Sequence, residues 1–236
     1  TPFLSAIGGL TGGRQADQKE FGWQTYDLRE PENPDNLEGQ DAPTARARVR
    51  QEVKNVVQIF HDAVEVSYTK QAATGQRDGL PGNNPVTDEM DWQVEQALKQ
   101  LARDIEFTFI RGQYALPADN TAPRKTRGIL EAITTNVIQK PTDETTGEPT
   151  EALTEADVLD LMQSVWESGG IQEQETATLI CNAGVKRQLT DIFITKKNFQ
   201  EESRNVAGVS VQTIETDFGR VNIMLNRYMP TTTLAV

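Results

Sequence analysis

Reactive side chains are scarce in this sequence. Its 236 residues include one cysteine and one histidine. A lone Cys181 excludes an intrachain disulfide framework and any cysteine-based zinc cluster. Its setting, Thr178-Leu179-Ile180-Cys181, reads as a buried strand thiol, the usual place of a free cysteine. His61 lies between Phe60 and Asp62 in an alternating stretch and takes a structural role, because a metal site needs several converging ligands. No Gly-x-Ser-x-Gly turn is present to expose a catalytic serine. No run approaches the roughly 20 apolar residues that cross a bilayer. Basic residues are outnumbered, 23 against 35, for a net charge of −12. That balance works against tight nucleic-acid binding, which draws on clustered Lys and Arg, and suits ordinary solubility. The start, Thr1-Pro2-Phe3-Leu4, has neither an initiator Met nor a charged signal region, so Thr1 is expected not to be the first translated residue.

The motifs that superficially carry chemistry are incomplete. Gly8-Gly9-Leu10-Thr11-Gly12-Gly13-Arg14 lacks the Gly-Lys-Ser/Thr end of a phosphate loop, and no strand precedes it. Glu144, Glu148 and Glu151 do not follow a calcium-loop spacing. Trp23, Trp92 and Trp166 are dispersed over strand and helix patterns, which favours core packing over a stacking platform. No catalytic residue, metal ligand or cofactor is assigned.

What the sequence does contain is architecture of the α+β class. Residues 1–20 show no apolar period and read as an arm that orders on a partner. Phe21 to Leu28 reads as a strand with Phe21, Trp23 and Thr25 on one face. Arg29 to Pro43 holds three prolines and a row of acids, and forms a loop tip. Ala45 to Thr69 is strand-like, with Val49, Val53, Val57 and Ile59 in one phase and Phe60, Val64, Val66 and Tyr68 in the other. The phase switch near Val56-Val57 predicts a bulge or bend. Residues 21–69 thus form an extended hairpin, too long to be stable alone in water. Thr69 to Pro85 is a Gly- and Asn-rich connector.

A long helix follows, capped at Thr87 and ending at Arg111, with a stripe of Val94, Leu98, Leu101, Ile105 and Phe109 expected to carry much of the stability. Residues 128–136 predict a short helix. Thr154 and Asp157 form a capping box for a helix whose buried face is Val158, Leu161, Met162, Val165 and Trp166. Thr176 to Cys181 reads as a strand. Asn182 caps a helix bearing Val185, Leu189 and Ile192. Residues 206–225 read as a hairpin turning at Asp217-Phe218-Gly219.

One electrostatic pattern stands out. Arg46, Arg48 and Arg50 recur at every second residue, so on a strand they share a face, just after the acids Glu30, Glu32, Asp35, Glu38 and Asp41. Two readings remain open: a charged edge that blocks unwanted pairing, or arginines that meet carboxylates of an adjacent subunit.

Several fragments, in order along the chain, carry a resemblance. They are Thr1-Pro2-Phe3-Leu4-Ser5-Ala6-Ile7-Gly8, Phe21-Gly22-Trp23-Gln24, Asn55-Val56-Val57-Gln58-Ile59-Phe60 and Val64-Glu65-Val66-Ser67. Further on come Leu101-Ala102-Arg103-Asp104-Ile105-Glu106, Thr126-Arg127-Gly128-Ile129-Leu130, Cys181-Asn182-Ala183-Gly184-Val185-Lys186-Arg187, Asp217-Phe218-Gly219 and Asn226-Arg227-Tyr228-Met229. Together they resemble the major capsid proteins of tailed bacteriophages with the Hong Kong 97-type fold. The resemblance implies an N-terminal arm (1–20), an extended loop (21–84), a spine helix (86–112), a mainly axial domain (113–205) and closing strands of the peripheral and axial domains (206–236). It implies a homo-oligomer of hexamers and pentamers forming an icosahedral or prolate head, assembled in the host cytoplasm. Portal, scaffold and decoration proteins are the implied partners, with double-stranded DNA in weak non-specific proximity and no membrane. The resemblance also implies relatives expected to extend before Thr1 and beyond Val236. An encapsulin-like compartment shares the fold and differs in contents, while a hydrolase or ligand-binding domain would require a convergent polar site that the sequence does not supply.

Overall fold

The computed structural model describes residues 2–11, 15–29, 31–33, 37–42, 44–72, 88–143, 145, 149–170, 176–195 and 212–236. In chain order the elements are α1 (Pro2–Ala6), a 3-10 turn (Gly9–Thr11), β1 (Glu20–Thr25), β2 (Gln51–Val56), α2 (Tyr68–Ala72) and α3 (Glu89–Arg111). They continue with α4 (Ile129–Ala132), α5 (Glu155–Glu167), β3 (Thr176–Cys181), α6 (Ala183–Thr190), a π turn (Asp191–Thr195), β4 (Thr213–Thr216), β5 (Gly219–Leu225) and β6 (Leu234–Ala235). The mixture of helix and sheet is of the α+β kind.

The body is built around a four-stranded sheet ordered β4-β5-β3-β6. Its centre is a parallel pair, Thr176 to Cys181 against Arg220 to Leu225, and such pairs are stable when covered on both faces. One face of β3, Leu179 and Cys181, meets Val158 and Met162 of α5, Val185 and Leu189 of α6 and Val221 of β5. Ile180 turns the other way, against a smaller core of Ile110 from α3, Met229 and Ala235, with Leu130 of α4 beside it.

Local chemistry places these elements. Thr154 Oγ1 accepts from Asp157 N–H while the Asp157 carboxylate accepts from Thr154 N–H, so the expected capping box starts α5. Asn182 caps α6 through Gly184 N–H and also donates to Met229 O at 3.1 Å, tying the helix start to the C-terminal segment. The β4–β5 hairpin turns at Asp217-Phe218, with Gly219 at φ 131°, a region open to glycine at little cost. Residues 206–211 of the expected hairpin lie outside the described residues.

Several expectations are corrected. The N-terminal stretch, read as an arm that orders on a partner, is seated on its own chain over residues 2–11. Leu4 is buried, and Phe3 N–H donates to Glu106 of α3. Glu106, fully buried, also accepts from the Asn226 side chain, so one carboxylate joins α1, α3 and the segment after β5. The long helix begins one residue later than expected, because Asp88 accepts from Met90 N–H and Asp91 N–H; Thr87 lies outside the described residues. The stripe on that helix is only in part its buried face: Leu101, Ile105 and Phe109 are half-buried. Val94 and Leu98 are 42% and 53% exposed, whereas Glu106 and Ile110 are buried. Periodicity finds an apolar face but does not say whether this chain or another covers it. The helix expected at 128–136 is a single turn, stopped by Ile133 in extended conformation. The connector expected from Thr69 begins as α2, with the rest outside the described residues. Trp23, Trp92 and Trp166, expected in cores, are all more than 40% exposed.

Candidate assembly surface

β1 and β2 pair antiparallel from Glu20↔Val56 to Thr25↔Gln51 and form a two-stranded sheet separate from the body sheet. Residues directly opposite share a face. One face therefore carries Phe21, Trp23 and Val53, with the two aromatic rings 6.3 Å apart and 39% and 47% exposed. The other is polar: Lys54 sits between Glu20 at 3.5 Å and Glu52 at 3.8 Å. A solitary protein would bury the aromatic face, and nothing within the described chain covers it.

Both strands are shorter than their apolar patterns predict. β1 ends at Thr25, leaving Tyr26 and Leu28 exposed, and the stretch expected as strand from Ala45 to Thr69 is a strand only over Gln51–Val56. Residues 44–50 lack a ladder partner among the described residues, so the expected arginine face on a strand does not form there. Arg46 instead reaches Glu32 at 3.7 Å, and Glu32 also holds Arg29 at 3.3 Å. Arg50 donates to Gln24 Oε1 at 3.0 Å. Exposed pairs like these contribute about 0–1 kcal/mol each. Arg48, Glu38 and Asp41 are exposed without an ion-pair partner among the described residues; Glu30 and Asp35 lie outside them.

The expected bend at Val56-Val57 corresponds to the hairpin's root. Val56 is fully buried, and Val57 N–H donates to Lys19 O at 2.9 Å. Asn55 Nδ2 donates to Arg127 O at 3.2 Å and its Oδ1 accepts from Arg127 N–H at 2.9 Å. Thr126 Oγ1 donates to Val56 O at 2.8 Å, and Thr126 N–H donates to Gln58 Oε1 at 3.0 Å. This strap crosses the end of α3 at glycines: Gly128 N–H donates to Gly112 O at 2.8 Å, and a Cβ on Gly128 would lie 2.5 Å from Gly112 N. Asn55, Thr126 and Gly128 stand in fragments that carry the resemblance, but no local pattern marks them as one joint with Gly112, because their partners across it are 16 to 72 residues away.

Beyond the root, the backbone from Gln58 to Val66 has no ladder partner among the described residues; Ala63 N–H is satisfied by the Asp62 carboxylate at 2.8 Å. Val64 and Val66 are half-buried while Ile59 is 71% exposed. An open groove of about 680 Å³ separates this run from α3, lined by Asp62, Glu65, Gln93, Lys99, Gln100 and Arg103. Lys99 is paired with Glu95 and Arg103 donates to the Tyr228 hydroxyl. His61 is exposed on the unpaired run and outside any strand, a correction to its expected place. Cys181 is buried, and burial pushes its thiol above the ordinary value.

Among the described residues no three His, Cys, Asp or Glu side chains converge to hold a metal ion, and no helix is long and apolar enough to cross a membrane. The chemistry on display is surface to be covered.

No curated protein matches the chain. One family model, described as SU10 major capsid protein, matches residues 1–236. That family is structural and non-enzymatic, and its place is the capsid of the phage virion. With a half-exposed aromatic hairpin face and a helix stripe open at Val94 and Leu98 already pointing to assembly, the match along the whole sequence decides the identity: this chain belongs to the SU10 major capsid protein family.

Proposed function

We propose that the chain builds a Hong Kong 97-type shell, tiling as hexamers and pentamers around double-stranded DNA. In this reading residues 21–84 are the extended loop, whose hairpin (21–69) reaches a neighbouring copy, α3 is the spine helix, and the β3–β5 sheet with α5 and α6 belongs to the axial domain. The observation that carries it is the Phe21–Trp23–Val53 face, open on a hairpin that two strands alone do not stabilise. Arg48, Glu38 and Asp41 supply charges not already neutralised within the hairpin, and with Arg46, Arg50, Glu30, Glu32 and Asp35 they orient the contact. The net charge of −12 leaves the wall weakly repulsive to DNA, so the strand slides during filling. Portal, scaffold and decoration proteins complete the head.

The test is electron microscopy with size-exclusion chromatography on the wild-type chain and on a deletion of Glu32 to Gln40. The wild type is expected to form rings or shells; the deletion is expected to stay folded and lose them. A monomer at every concentration, with no rings, sheets or shells under assembly conditions, overturns the reading. Unchanged assembly of Arg46→Glu with Arg48→Glu, at low and raised salt, removes the arginines from it.

A further inference from the structure

The hairpin is not joined to the body by a continuous backbone ladder. Its β-pairing ends at Val56, and what holds it against the end of α3 is the strap at residues 126–128. That contact is made largely by side chains. Asn55 presents an acceptor to Arg127 N–H and a donor to Arg127 O, as a neighbouring strand's backbone would. The Thr126 hydroxyl closes on Val56 O, and Gln58 receives Thr126 N–H. On its far side the strap is locked, because the Gly112–Gly128 crossing leaves no space for even a methyl group. One side of the joint is rigid, and the other depends on three side chains at a half-buried site outside both cores.

We infer that Asn55 and Thr126 are positioning residues for assembly, fixing the angle at which the hairpin leaves the body and thereby the curvature at which copies meet. This rests on the hairpin-mediated contact proposed above. Leverage explains why so small a joint matters. A six-residue strand is about 20 Å long, so a turn of about 10° at the root moves its far end by about 3.5 Å. That displacement separates groups in van der Waals contact and breaks any hydrogen bond across the interface. A side-chain joint also has alternative rotamers, which a backbone ladder does not, so discrete hairpin angles are accessible to one sequence.

The test uses the full chain with spin labels at Thr25→Cys and Asp91→Cys, reading the distance distribution by pulsed electron paramagnetic resonance, and compares particle diameters by electron microscopy. Asn55→Ala and Thr126→Val are expected to broaden the distribution at least twofold and to give particles of mixed diameter. Thr126→Ser, which keeps the hydroxyl, is expected to restore both. Slow modification of buried Cys181 in every variant reports an intact body, so a variant that merely unfolds is recognised and replaced by Asn55→Asp, which keeps the acceptor and loses the donor. If the tip deletion abolishes particles while Asn55→Ala, Asn55→Asp and Thr126→Val leave diameters unchanged, this inference fails and the hairpin reading stands. If the tip deletion itself leaves particles unchanged, the hairpin reading fails first.

Discussion

Two isoleucine-sized residues on one helix give the sharpest separation between folding and assembly. Ile110 is 1% exposed and packs against Met229 and Ala235, with Leu130 and Tyr228 around it. Leu98 lies on the same helix and is 53% exposed. Truncating Ile110 to alanine removes buried methyl groups and leaves a cavity that α3, locked at Gly112 by the strap, is poorly placed to fill. The expected cost is about 2–5 kcal/mol, which is about a 30- to 5,000-fold shift in the unfolding equilibrium. Leu98→Ala removes a side chain about half in water and leaves no enclosed cavity, and its expected cost is about 0.5–1 kcal/mol. Urea denaturation of unassembled chain, followed by tryptophan fluorescence, measures both. Assembly yield is expected to reverse the order, with Leu98→Ala impairing particles made from a fully stable subunit. Comparable destabilisation of the unassembled chain by the two substitutions would falsify the assignment of the stripe to a contact outside the chain.

The remaining expectations concern the joint, the capping box and the thiol. Gly128→Ala places a methyl group against the backbone of Ile110 and Gly112 and is expected to cost about 1–3 kcal/mol, seen as a lowered midpoint in thermal unfolding; an unchanged midpoint would mean that the crossing is looser than 2.5 Å implies. Burial pushes the Asp157 carboxyl up, but hydrogen bonds from Lys140 and Thr154 outweigh it and hold the group below its ordinary 3.8. A depressed folded value means stability present above that pH and lost as pH falls through the lower folded value. Asp157→Asn is therefore expected to flatten the acid limb of the stability curve, and an identical limb rules the pair out as a contributor. Cys181 is expected to resist thiol reagents at neutral pH and to react once per chain after denaturation; fast reaction in the native state would contradict its burial.

Sequence reading reached furthest where a few adjacent residues decide the outcome. The Thr154–Asp157 box, the Asn182 cap, the turn at Asp217-Phe218-Gly219 and, Trp166 apart, the buried faces of α5 and α6 were legible, since caps and turns are local and the faces are covered by the same chain. It failed where the deciding partner is remote. The arginine row at 46–50 has strand spacing but no neighbouring strand among the described residues, and Arg46 reaches Glu32 instead. The α3 stripe and the tryptophans were assigned to a core because hydrophobic periodicity records that a surface is to be covered and not by what. The N-terminal segment looked unanchored because its anchor, Glu106, is a charged residue about a hundred positions away, on a helix otherwise read for its apolar face. The root of the hairpin was invisible for the same reason: Asn55, Thr126 and Gly128 acquire meaning only when the chain brings them together.

The unpaired run from Gln58 to Val66 has a consequence for the time between synthesis and incorporation. Its open backbone edge is a template for any passing extended chain, and the charges of Asp62 and Glu65 only partly discourage such pairing. Meetings between two copies rise with the square of their concentration, whereas encounters with an unrelated background protein rise in direct proportion. A burst of synthesis therefore favours meetings between copies, and a slow trickle favours capture by unrelated chains. For this subunit the rate of supply is part of what determines yield, on an equal footing with the stability of its fold.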